Sequence, residues 1–170
     1  DALGLPSTYG VDDIPLIVRD AAFDNGLLIY PDNPMARMHG ARGAVILANG
    51  AIEPTYPVPR GLVRLRLVNS ANARAFDLSA SDGRPLHWIG TDGGYLERPV
   101  VLDSLLLAPG QRAEILIDLS DGRPVTLRTG RDPTARIGAM GMMGGGRGTG
   151  MRGRGQGMDR MSGANNPLAE

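Results

Sequence analysis

Val63-Arg64-Leu65-Arg66-Leu67 alternates apolar and charged side chains without interruption. A backbone with a period of two turns successive side chains to opposite faces, so Val63, Leu65 and Leu67 share one side and both Arg the other. This is the signature of a half-buried strand with its apolar face in a core and its guanidinium groups toward water. The same period spreads outward from it. Phe76, Leu78 and Ala80 alternate with Asp77 and Ser79, Ala113, Ile115, Ile117 and Leu119 oppose Arg112, Glu114 and Asp118, and Val125 and Leu127 alternate with Thr126 and Arg128. Residues 14–18, 44–47, 86–89 and 100–107 read as further strands, and no ten-residue window carries a helical stripe.

The punctuation between these runs is that of an antiparallel sheet. Asn49-Gly50, Asp82-Gly83, Asp92-Gly93 and Asp121-Gly122 are turn dipeptides that tolerate positive φ. Ser-Asp-Gly-Arg-Pro occurs twice, at 81–85 and 120–124, with unlike flanks, and is read as a reused turn. Eight or nine short strands in about 120 residues predict an all-β Greek-key sandwich, with a small barrel as the alternative.

The composition draws a boundary. Residues 138–170 hold eleven Gly and six Met but no aromatic, Val or Ile. Such a segment buries too little apolar surface to offset its ordering entropy. The expectation is a globular domain over 1–133 and a flexible Gly/Met/Arg-rich linker or tail over 134–170.

Charge and residue types exclude several chemistries. The 170 residues carry eighteen basic and eighteen acidic groups, every basic one an Arg. A net charge of zero argues against a nucleic-acid partner, and Arg152-Gly153-Arg154-Gly155 is too short for an RNA-binding Arg/Gly segment. Without Lys there is no Schiff base or phosphate-loop lysine, and without Cys no disulfide, thiolate ligand or Cys nucleophile. No apolar run approaches the length of a membrane span, and the expectation from the opening at Asp1 is of no signal peptide. The Ser lack a nucleophile-elbow context. Of the carboxylates Asp12, Asp13, Asp20, Asp24, Asp32, Asp92 and Asp103, no pair is spaced as an acid/base dyad, and most fit turns whose backbone N–H groups they cap.

Soft metal donors are what remains. Met140, Met142, Met143, Met151, Met158 and Met161 carry neutral thioethers, which select Cu(I) and Ag(I) over hard cations. The plainer reading is a low-complexity linker rich in Met. Met35, Met38 and His39 place two thioethers and an imidazole within five residues, again a donor set for Cu(I), or else an ordinary surface loop. His87, in Leu86-His87-Trp88-Ile89, reads as a packed or hydrogen-bonded sheet residue.

Five stretches in order resemble a known family: Gly10 to Val18 with Asp20 and Phe23; Asn49-Gly50-Ala51-Ile52-Glu53-Pro54; Pro59-Arg60-Gly61 through Asn69-Ser70-Ala71-Asn72-Ala73-Arg74; Ser81-Asp82-Gly83-Arg84-Pro85 to Asp92-Gly93-Gly94; and Leu107-Ala108-Pro109-Gly110-Gln111-Arg112 to Asp118. Together they resemble the middle, cupredoxin-like domain of three-domain multicopper oxidases, laccase-like and closest to the bacterial periplasmic cuprous oxidases of copper tolerance. The resemblance covers about 5–130. It implies a cupredoxin-like sandwich, first and third cupredoxin domains of the same parent chain as partners, copper as the parent's cofactor, and a periplasmic location. In that family a Cys, two His and often a Met hold the type 1 copper, and eight His in His-x-His pairs hold the trinuclear cluster, all in the outer domains. No such residue carries over, since this chain has no Cys and no His-x-His. The expectation is a non-catalytic middle domain, a fragment whose parent oxidises Cu(I) or phenolic substrates and reduces O2 to water. The alternatives are the scaffold of a copper-free relative in cell division, or a stand-alone Cu(I)-sequestering module. The Met cluster follows the middle domain directly, where the cuprous oxidases carry theirs within the third.

Overall fold

A computed structural model describes residues 3–130, 132 and 133. The expected all-β sandwich is present. Its strands are β1 (Asp13–Asp24), β2 (Leu27–Ile29), β3 (Val45–Ala48), β4 (Leu62–Asn69), β5 (Phe76–Ala80), β6 (Leu86–Thr91), β7 (Gly94–Leu102), β8 (Ser104–Leu107), β9 (Arg112–Asp118) and β10 (Leu127–Thr129), with one helix, α1 (Pro34–His39), between β2 and β3. The larger sheet runs β2-β1-β4-β9-β6-β7, with β3 also paired to β1, and the smaller runs β10-β5-β8.

The alternating stretch lies at the centre. In β4, Val63, Leu65 and Leu67 enter the core beside Ile14, Leu16 and Val18 of β1 and Ala113, Ile115 and Ile117 of β9. Phe76 and Leu78 of β5 and Leu105 and Leu107 of β8 supply the opposing layer. Burying side chains of this size, each at about 1.5–3 kcal/mol, drives the two layers together.

Four details differ from the sequence expectation. The larger sheet is not wholly antiparallel, for β1 pairs parallel with β4 from Asp13↔Arg64 to Val18↔Asn69. The run 100–107 is two strands, not one: β7 belongs to the larger sheet and β8 to the smaller, and the chain changes sheets at Asp103. The loop expected around His39 is a short helix. Its ends explain it: Asn33 Oδ1 accepts from Ala36 N at 2.9 Å, Pro34 opens the first turn, and Gly40 follows at φ 82°. Finally, Arg64 points away from the core as expected, but it is only 5% exposed. Its Nε donates to Glu114 Oε2 at 2.8 Å and its guanidinium lies 5.5 Å from the Tyr95 ring centroid.

Candidate functional site

Three polar clusters lie on this scaffold, and each is built from residues that the sequence marks. The first covers the outward side of the larger sheet. Asp13 is wholly buried and accepts from Arg66 Nε at 2.8 Å, with Arg64 Nη1 at 3.9 Å. The Asp13 carboxylate holds the Arg66 guanidinium pKa above its ordinary value. With Glu114 and Tyr95 this face is a charge-balanced array across β1, β4, β9 and β7.

The second cluster fastens α1 to the sandwich. Asn69, fully buried at the end of β4, donates from Nδ2 to the carbonyls of Arg74 and Leu107, each at 2.8 Å, and its Oδ1 accepts from Ala71 N at 2.9 Å. Asn72 Oδ1 accepts from Ala41 N at 2.7 Å, one residue past Gly40. Arg74 donates from Nε to Asp20 Oδ2 at 3.2 Å and from Nη2 to Gly43 O at 3.0 Å, while Asp20 Oδ2 also accepts from Gly43 N at 2.8 Å. The polar string Asn69, Asn72, Arg74 thus bonds loop backbone, as its position after an alternating strand suggests. Gly43 is required here, since a Cβ would lie 2.0 Å from the Ala21 backbone. Arg42 adds a bond from Nη2 to Ala73 O at 2.9 Å and an ion pair with the buried Asp132.

On that anchored segment stand Met35, Met38 and His39. At 100° per residue, positions i, i+3 and i+4 of a helix share one face. Arg37, nearly opposite, donates from Nε to Asp32 Oδ1 at 2.7 Å, which lowers the Asp32 pKa. No residue of α1 is buried, and Met38 is 76% exposed.

The third cluster brings the two Ser-Asp-Gly-Arg-Pro turns together, which their distance in sequence does not reveal. Arg84 donates from Nε to Asp82 Oδ2 at 2.9 Å, from Nη2 to Asp121 Oδ2 at 3.2 Å in the other turn, and from Nη1 to Asp118 O at 2.6 Å. The Arg84 guanidinium pulls the Asp82 pKa from 3.8 to about 2. Asp121 is lowered by the backbone N–H and guanidinium of Arg123. His87, half-buried in β6 as a sheet residue, lines the open cleft beside these turns.

Some of the other carboxylates act as expected of turn residues, whereas Asp13 and Asp20 lie within β1 and meet Arg side chains instead. Asp12 accepts from Thr8 N at 2.7 Å, Asp118 from Ser120 N at 2.9 Å, and Asp92 from Arg112 N at 3.2 Å. The candidate ligands Met140, Met142, Met143, Met151, Met158 and Met161 lie outside the described residues.

A multicopper oxidase family model matches residues 20–126. The chain belongs to the multicopper oxidase family. Curated relatives include the cell division protein FtsP of Yersinia pestis, 49% identical over 130 residues, and that of Escherichia coli K12, 44% identical over 129 residues. Each match takes 76% of this chain and 27% of the relative, so the chain spans about a quarter of those proteins' length. Among solved structures, the laccase-like multicopper oxidase CueO of Ochrobactrum sp. is 42% identical at a TM-score of 0.72, covering 77% of this chain and 30% of that one. The multicopper oxidase McoA of Aquifex aeolicus is 37% identical at 0.65, covering 74% and 28%.

The donor set does not fit the copper centres of this family. The chain has no Cys, its two His stand apart on α1 and β6, and among the described residues no three His, Cys, Asp or Glu gather where they could hold a metal ion.

Proposed function

We propose that this chain is the non-catalytic middle domain of a three-domain multicopper oxidase, and that it holds the first and third cupredoxin domains at their working separation. The observation that carries the reading is the match to only 27–30% of the length of relatives that share the fold. Large apolar side chains support it. Phe23, Leu27, Leu28, Ile29 and Tyr30 along one hairpin are all exposed, and clustered exposed apolar side chains mark interaction surfaces. In this reading the parent oxidises Cu(I) or phenolic substrates, reduces O2 to water, and works in the periplasm. Neighbouring domains supply the ligands of the catalytic copper centres. Among the described residues no helix is long and apolar enough to cross a membrane.

A second reading has its own support, the 44–49% identity to cell division proteins, under which the parent is a scaffold without copper. The Met-rich segment 140–161 favours the oxidase. Purifying the parent protein and measuring its copper content, its type 1 blue absorbance and its oxidation of Cu(I) and a phenol separates the two. Copper, the blue band and turnover are expected. A parent that holds no copper even after incubation with it, and shows no blue band and no turnover, would establish the scaffold reading instead.

A further inference from the structure

We infer that α1 is a binding site for a soft monovalent metal ion, Cu(I) or Ag(I), with Met35 Sδ, Met38 Sδ and the His39 imidazole as ligands. The site is separate from the family's copper centres, and it does not depend on which parent carries this domain.

Three observations converge on it. First, Met is ordinarily a core residue, yet the only two Met among the described residues are exposed on this helix. Second, α1 buries none of its own residues, so core packing does not explain why a helix forms there. Its two ends are fixed instead. Asn33 caps the start, and Gly40 packs so closely on the 72–73 loop that a Cβ would meet Ala73 Cβ at 2.6 Å and Asn72 Oδ1 at 2.7 Å. The ligands therefore stand on a segment whose position is set before any ion arrives, which lowers the ordering cost of binding. Third, the three donors share one helical face, with Cβ atoms about 5–6 Å apart for such spacings. The His39 side chain has no hydrogen-bond partner among the described residues, so either ring nitrogen is free to coordinate. Arg37 faces away and is neutralised by Asp32, leaving no bare cation beside the donors.

The chemistry of the set fixes the class of ion. Two neutral thioethers and one imidazole make a three-coordinate site without carboxylate or thiolate charge. Such donors favour Cu(I) and its analogue Ag(I), and offer little to Ca(II), Mg(II) or Zn(II).

The test must separate this site from the six later Met, because the Arg42–Asp132 pair returns the chain to α1 only eight residues before Met140. The 170-residue chain with all six later Met changed to Leu is titrated anaerobically with Cu(I) against a chromophoric Cu(I) chelator. Binding of one equivalent is expected, with perturbed methyl resonances of Met35 and Met38 when Ag(I) is added. Adding Met35→Leu, Met38→Leu and His39→Gln to that background is expected to weaken Cu(I) binding at least tenfold. The thermal unfolding midpoint should stay unchanged, since the side chains are exposed. The inference is overturned if the first variant binds no Cu(I), if both variants bind it equally, or if Zn(II) binds the first variant as tightly as Cu(I). Failure of the proposed oxidase activity in the parent would leave this result untouched, since the readout is metal binding by this chain alone.

Discussion

Both ends of β4 tie loops together with Arg and Asp, but at very different exposure. At the Asn69 end, Asp20 and Asn69 are buried, and every bond they make replaces one to water. At the Leu62 end, Arg84, its own side chain only 10% exposed, joins the two turns through Asp82 and Asp121, whose carboxylates are 29% and 36% exposed and screened by solvent. The same two residue types therefore hold structure at one end and merely trim it at the other. Geometry alone does not show this, for the exposed bonds are as short as the buried ones.

That contrast can be broken most severely by putting a carboxylate where no partner waits. Leu65→Asp sets a charge on the core face of β4, where burying an unpaired carboxylate is far costlier than the domain's whole stability. The expected outcome is failure to fold, read as the loss of a cooperative thermal transition. Next comes Asn69→Ala, which strands two carbonyls and an N–H at about 1 kcal/mol or more each. A loss of about 3–4 kcal/mol in urea unfolding is expected. Asp20→Asn keeps an acceptor for Gly43 N but removes the charge that Arg74 meets, and should cost about 2 kcal/mol. The smallest effect belongs to the surface end. Arg84→Ala should return the Asp82 pKa from about 2 toward 3.8, seen by NMR titration, with little change in melting temperature.

Acid sharpens the same comparison. A carboxylate whose pKa is depressed in the folded state contributes stability that is present above its unfolded value and lost as pH falls through its folded value. For Asp82 this window lies between 3.8 and about 2. Asp32, Asp92, Asp118 and Asp121 are shifted the same way by their Arg, Ser or backbone partners. Unfolding on acidification should thus fall below the ordinary carboxylate range.

How far the sequence reaches is best seen in particular residues. The period of two placed Val63, Leu65 and Leu67 in the core, because side-chain direction in a strand is local. It placed Arg64 on the outward face but not under cover, because alternation says nothing of what lies over that face, here Glu114 and Tyr95. The parallel partner of β1 is a long-range choice that no dipeptide announces. The apolar run through Val100 and Leu107 hides a change of sheet, since both halves are equally apolar. Helix α1 has too few turns to show a period, so its Met and His were legible as a donor set but not as one face.

The parallel β1–β4 pair has a kinetic consequence. Asp13 and Arg64, opposite each other in the register, are 51 residues apart in sequence. Neither hairpin turns nor local contacts bring them together, so the central strand gains its neighbour only after a long loop closes. Each such closure is entropically unfavourable before any contact rewards it. Refolding should accordingly run on the millisecond-to-second scale typical of non-local β architectures, since the β4–β9 pair, 44 to 56 residues apart, also needs a long closure.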